Sequence, residues 1–216
     1  MDSEVEYERT EEHQGPPVEV AGMMLRVKNR LKRHEGWVNH MYRDVEGYVT
    51  VGVGFLLPKS EVSFYSWRYK ATKRGAPLAA AQADWTSVSM QFYGRSYTNA
   101  SYVAAFYDKY TNVELSDATI GFVLAKKLFR LHQDLRRAFK LSGIAFDNLP
   151  EPVQEAMFDL GWNVRRFLEP TTFPNMKAEL KARNWEAAAR ESHRKSPPTP
   201  ETRNSEIRDL ILAAER

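Results

Sequence analysis

Three side chains stand at a spacing that could cleave a glycosidic bond: Glu35, Asp44 and Thr50. Glycoside hydrolysis needs one carboxyl group carrying a proton for the leaving oxygen. It also needs a second carboxylate that stabilises charge or activates water across the bond. A glutamate that closes an amphipathic helix is partly shielded by apolar neighbours, which suits the first role. An aspartate in a following Tyr-x-Asp turn is more solvated and suits the second. Spacing alone does not select this pair. Two carboxylates nine residues apart occur in most proteins, and the ordinary reading is two surface acids, a strand threonine at Thr50 and a turn glycine at Gly47.

The elements that must hold these residues are legible from periodicity. Met24, Val27 and Leu31 recur three and four apart and predict a helix from Val18 to His34 or Glu35, with Gly36 as its stop. Residues 41–57 carry β-branched and aromatic types around a turn signal and predict a small hairpin or meander. After Pro58 the pattern is helical almost throughout. Ser116 reads as the N-cap of a long helix with Ile120, Val123, Leu124, Leu128, Leu131 and Leu135 on one face. Pro152 fits the first turn of a further helix. Shorter helices are predicted over residues 173–181, 184–191 and 205–214, with residues 196–200 as a loop. The expected class is α+β, mainly α, with a small antiparallel sheet near the N-terminus and a helical C-terminal lobe.

Composition narrows the setting. The chain has 216 residues, 43% hydrophobic and 27% charged, and no cysteine, so disulfide staples, cysteine–zinc clusters and thiol nucleophiles are out. Residues 2–12 hold six acids against Arg9, a net −5, which leaves +8 on the rest of a chain whose formal charge is +3. An acidic tail over residues 1–17 therefore precedes a basic body over residues 18–216, and a basic body suits an anionic partner. No stretch free of charged side chains exceeds the twelve residues of 47–58, against roughly 20 for a membrane helix. The N-terminus is acidic where a signal peptide would be basic and then apolar. Synthesis in the cytoplasm without a signal peptide and no membrane insertion are the expectations.

Several motifs fail on spacing. Gly52-x-Gly54 begins a dinucleotide fingerprint, but position 57 is Leu57; His34-Glu35 begins a zincin motif, but position 38 is Val38. His13, His34, His40, His132 and His193 show no ligand spacing, so neither a metal nor another cofactor is expected. The basic clusters at residues 30–33, 126–127 and 136–137 read as solvated helix faces rather than phosphate contacts, and no nucleic-acid partner is expected.

The run Glu35-Gly36-Trp37-Val38-Asn39-His40-Met41-Tyr42-Arg43-Asp44-Val45-Glu46-Gly47-Tyr48-Val49-Thr50-Val51-Gly52-Val53-Gly54 resembles the active-site segment of phage-type lysozymes. That family's pattern is a helix-ending Glu-Gly, then Tyr-x-Asp, then Gly-x-x-Thr-x-Gly-x-Gly, and every position matches without a gap. Further along, Phe158-Asp159-Leu160-Gly161-Trp162-Asn163-Val164 is similar to the family's Phe-Asn-Val segment. Thr171-Thr172, residues 177–180 and Asn184-Trp185-Glu186-Ala187-Ala188 resemble later stretches. Arg203 resembles a late-chain arginine that pairs with the catalytic glutamate. The likeness covers residues 20–57 and 115–212.

The resemblance implies a two-lobe lysozyme-like fold and a peptidoglycan hydrolase that cleaves the β-1,4 bond between N-acetylmuramic acid and N-acetylglucosamine. It implies Glu35 as general acid, Asp44 as second carboxylate and Thr50 as the hydroxyl that positions water, with Tyr42, Gly54, Trp162, Asn163 and Arg203 binding substrate or supporting the site. It implies inversion, with the carboxyl groups about 6.5–9.5 Å apart. The expected partner is the glycan strand of a bacterial cell wall, met by a monomer acting in the periplasm. A phage endolysin and a toxin domain delivered by a contact-dependent (type VI) secretion apparatus both fit. The second would add a secretion carrier and an immunity protein that fills the cleft. A lysozyme-like module that grips glycan or another anionic polymer without cutting it is the alternative, though it has no need of an acid. Three departures stand out: Phe55 replaces a histidine of the family, Arg165 replaces a glycine, and residues 58–114 exceed the usual connection and read as an enlarged helical insertion.

Overall fold

A computed structural model describes residues 18–44, 46–91, 100–164, 166–194 and 201–215. The acidic segment 1–17, Arg165 and the expected loop at 196–200 lie outside the described residues.

The first helix, α1 (Val18–Glu35), buries Met23, Val27 and Leu31 in one stripe, with Met24 only partly covered. It stops at Gly36, whose N–H donates to Lys32 O at 3.1 Å. Three strands follow, β1 (Val38–Arg43), β2 (Val49–Gly52) and β3 (Phe55–Leu56). They form an antiparallel meander in which Tyr42 faces Thr50 and Arg43 faces Val49. The strands begin three residues before the expected segment, because Val38 already pairs with Gly52.

After Pro58 the chain is less uniformly helical than its composition suggests. A short 3-10 helix (Lys59–Phe64) leads into β4 (Trp67–Tyr69), then α2 (Leu78–Met90), α3 (Ala100–Tyr107) and β5 (Val113–Leu115). β4 and β5 form a second antiparallel sheet, pairing Trp67 with Leu115 and Tyr69 with Val113. The expectation of a purely helical insertion over residues 58–114 is corrected by this sheet. Three-residue strands carry too little alternation to be seen locally, and each finds its partner more than forty residues away.

The second sheet is held from α2. Asp84 is 3% exposed, and its Oδ2 accepts from the backbone N–H groups of Asn112 and Val113 at 2.6 and 2.7 Å. Arg68 on β4 pairs across the ladder with Glu114 at 2.7 Å, and Lys73 joins at 2.8 Å. The aromatics of this region divide. Trp67 and Tyr107 are core, Trp85 is partly buried with Nε1 donating to Leu57 O at 2.8 Å, and Phe64 is 76% exposed. Phe92 and Tyr93 lie outside the described residues.

The long helix α4 (Asp117–Leu141) is capped by Ser116, whose Oγ accepts from Thr119 N at 3.0 Å. It buries Ile120, Leu124, Leu128, Leu131 and Leu135. Next comes α5 (Glu151–Asn163), with proline in its first turn, followed by α6 (Pro174–Ala182) and α7 (Trp185–Glu191). The last helix, α8 (Glu201–Leu212), starts four residues before the expected one, so Arg203 lies on its first turn rather than in the preceding loop. The class is α+β, mainly α.

Asp84→Ala should leave the buried Val113 N–H and the more exposed Asn112 N–H without their acceptor and destabilise the protein by about 1–3 kcal/mol. Urea unfolding followed by tryptophan fluorescence measures this, and the loss should exceed that of an exposed aspartate such as Asp209→Ala.

Candidate active site

Glu35 ends α1 in the last turn before the glycine stop, which aims its carboxylate away from the helix toward the first sheet and α8. Its side chain is 23% exposed. Arg203 Nη1 donates to Glu35 Oε1 at 2.7 Å. The same guanidinium donates through Nε and Nη2 to Asp159 Oδ1 and Oδ2, at 2.9 and 3.2 Å. Asp159 is 1% exposed and Arg203 6%. Burial works against the Arg203 charge, but Asp159 and then Glu35 outweigh it and hold the guanidinium above its ordinary pKa. Arg194, also buried, faces the same cluster. Burial and then Arg203 lower its pKa, while Asp159 and Glu35 work the other way. Two cations and two carboxylates thus share one largely dry site, whose formal charges cancel.

The second oxygen of Glu35 faces Gly54 on the turn between β2 and β3. A Cβ placed on Gly54 would come within 3.7 Å of Glu35 Oε2, and the backbone there is left-handed at φ +67°. Glycine supplies both the conformation and the absence of a side chain in front of that oxygen.

Asp44 is set by local backbone. It follows β1 in the turn to β2, where its N–H donates to Tyr48 O at 2.9 Å and its C=O accepts from Gly47 N at 3.0 Å. Its Oδ1 accepts from the N–H groups of Glu46 and Tyr48, at 3.0 and 2.9 Å. Arg43 braces the turn by donating to Gly47 O and to Gln91 O. Oδ1 is therefore committed to the turn, while Oδ2 faces Thr50. The Thr50 hydroxyl, on β2, has Tyr48 O at 3.2 Å and Asp44 Oδ2 at 3.4 Å as acceptors. Both distances are long for an O–H···O bond, whose usual length is about 2.7–2.8 Å, so its single proton is weakly held by either. Thr50 is 2% exposed, and any water it serves must sit inside the cleft against Asp44.

Tyr42 lies opposite Thr50 in the sheet and is 8% exposed. Burial first, and then the Glu35 and Asp44 charges, push its phenol well above the ordinary range. Trp162, near the end of α5, meets Phe55 edge-on with ring centres 6.3 Å apart. Asn163 Nδ2 donates to Asp159 O at 2.8 Å and reaches Asp159 Oδ1 at 3.5 Å. At the histidine position of the family pattern, Phe55 is buried with Lys127 Nζ 5.4 Å from its ring centre. A cation over an aromatic face stands there, with no histidine available to pair with an acid.

All eight residues singled out by sequence thus fall in one neighbourhood. Glu35 and Arg203 are in direct contact, as are Asp44 and Thr50. Gly54 faces Glu35 Oε2, Tyr42 stands opposite Thr50 in the sheet, Trp162 meets Phe55 and Asn163 bonds Asp159. Two members were missed. Asp159 carried a signal: it is an acid inside the apolar run Ala156, Met157, Phe158, Leu160, and a buried carboxylate needs a partner. Arg194 carried none, since only tertiary packing brings it to Arg203.

Among the described residues, no three His, Asp or Glu side chains converge as metal ligands do. No protein-family model matches the chain, and no curated protein matches it.

Asp159→Leu should cost about 3–5 kcal/mol, because it removes two of the three carboxylate contacts of a buried guanidinium and leaves it Glu35 alone. Asp159→Leu combined with Arg203→Met should be the more stable protein of the two, since the charges leave together. Urea midpoints of both variants and the parent decide this.

Proposed function

We propose that this chain is a muramidase, hydrolysing the β-1,4 bond between N-acetylmuramic acid and N-acetylglucosamine in peptidoglycan. One observation carries the reading. A glutamate held through one oxygen by a buried arginine keeps its other oxygen facing a side-chain-free turn, while an aspartate and a threonine hydroxyl meet in the neighbouring turn of the same small sheet.

In the proposed reaction the glycosidic oxygen approaches Glu35 Oε2 over Gly54 and takes its proton. Arg203 holds Oε1 and so restricts rotation of the carboxyl group, which keeps the acid in place without substrate. Asp44 Oδ2 acts as base on a water that also accepts or donates a hydrogen bond at Thr50 Oγ1. That water replaces the long Thr50–Asp44 contact with two shorter ones. Attack from the face opposite the leaving group inverts the anomeric carbon. The +8 carried by residues 13–216 suits an anionic wall polymer. The setting is the cell wall of a bacterium, reached either as an endolysin or as a delivered toxin. A delivered toxin would be made alongside a protein that blocks this cleft.

Glu35→Gln should abolish release of reducing ends from purified sacculi while leaving the unfolding transition in place. Asp44→Asn and Thr50→Val should each lower turnover by about 10²–10⁴-fold. The mass of the released fragments identifies the bond cut, and proton NMR of the fresh anomer reports inversion. Near-normal turnover by Glu35→Gln would sink the assignment. Retention on sacculi with no reducing ends from the parent protein would favour a module that only binds.

A further inference from the structure

Basic residues on this protein fall into two groups. On α1, Arg26 pairs with Glu151 and Glu155, and Arg30 and Arg33 pair with Glu206 at 3.1 and 2.7 Å. These arginines are tied to carboxylates of α5 and α8, while Arg33 keeps 61% of its side chain exposed, in line with the solvated face read from the sequence. On α4, Arg136 and Arg137 pair with Asp147 and Asp134, but among the described residues Lys126, Lys127 and Arg130 have no carboxylate within 4.0 Å. These three cations line a groove of about 560 Å³ between α4 and the 3-10 helix Lys59–Phe64. Its other walls carry Phe64, 76% exposed, and Phe122, 64% exposed. Glu61 is the one acid among the lining residues.

Exposed phenyl rings beside unpaired cations are costly to leave in water without use, since each ring presents apolar surface that a partner would cover. Lys126 and Arg130 are one helical turn apart, so their charges repeat at roughly 6 Å along one wall. Lys126 Nζ lies 5.0 Å from the Phe122 ring centre, which presents a cation and an apolar face together. Burial lowers the pKa of Lys127, with Glu61 working against it, so an incoming anion would restore what burial takes. Neither Glu35 nor Asp44 lines this groove. Its Lys127 wall packs on the buried ring of Phe55, with Nζ 5.4 Å from the ring centre, and Phe55 directly follows Gly54 and meets Trp162.

We propose that this groove is a second glycan-binding site, taking an anionic stretch of the same wall polymer that passes the Glu35–Asp44 cleft. Sugar faces stack on Phe64 and Phe122, and carboxylates of the lactyl groups or peptide stems meet Lys126, Lys127 and Arg130. The inference rests on the muramidase reading for its choice of polymer. Two exposed rings set among three cations suit sugar faces that carry carboxylates, which favours the wall polymer over an unrelated acidic protein.

The test uses the full chain carrying Glu35→Gln, so that binding is read without cleavage. Cosedimentation with purified sacculi at low salt should show about tenfold weaker retention for Lys126→Gln/Arg130→Gln and for Phe64→Ala/Phe122→Ala. All four side chains are exposed, so the variants should unfold as the parent does. In the Glu35 background the same substitutions should raise KM on sacculi and leave the rate on a short soluble fragment unchanged. On neutral chitin beads the aromatic pair should matter and the charge pair should not. Undiminished retention of both double variants on sacculi overturns the groove, and leaves the muramidase reading standing if the parent still cleaves. Weakened retention with no cleavage by the parent keeps the groove and removes the muramidase reading.

Discussion

The arrangement depends on one buried guanidinium. Arg203 joins three elements that are remote in sequence: the C-terminal end of α1, the middle of α5 and the first turn of α8. A guanidinium with so little access to water is tolerable only because two carboxylates neutralise it and accept its protons in fixed geometry. The same helix face grips α1 twice. Three residues after Arg203, Glu206 takes Arg30, Arg33 and His34, so α8 holds the last turns of α1 from Arg30 to Glu35. The position of the proposed acid is therefore a property of the whole helical lobe.

The other carboxylate is held by different physics. Asp44 needs nothing from the helical lobe. Its turn closes on itself through four backbone contacts, and the Arg43 side chain spans it. One carboxylate of the proposed pair, Glu35, is fixed by long-range ionic contacts, and the other, Asp44, by a tight local turn.

The added segment between the sheet and α4 supports this sheet from outside. Trp85 holds Leu57 O, Asp84 pins β5, and Asn39 on β1 donates both to Leu115 O and to Asp117 on α4. Trp37 donates to the same Asp117 oxygen. The strand carrying Tyr42 is thus anchored at its start to the first turn of α4, and its end carries Asp44. The same segment supplies Phe64 and one wall of the basic groove.

Much of this was legible locally. Apolar spacing marked α1 and α4, Ser116 and Gly36 marked their ends, and the motif from Glu35 to Gly54 marked the sheet and its turn. These features are short-range: helix periodicity, caps and turns are set by residues within a few positions of one another. The second sheet was not legible, because β4 and β5 are three residues each and their pairing is decided by Asp84 and by cross-strand contacts. Nor was the early start of α8, whose first turn is drawn in by the Arg203 contacts. The sequence by itself determined which residue types stand at the turn carrying Asp44 and that an arginine late in the chain was available. Only the tertiary structure decided that Asp159 and Arg194 complete the charge cluster around it. Which cations meet a carboxylate was likewise decided there, since only folding brings Glu151, Glu155 and Glu206 to the arginines of α1 and, among the described residues, leaves Lys126, Lys127 and Arg130 without one within 4.0 Å.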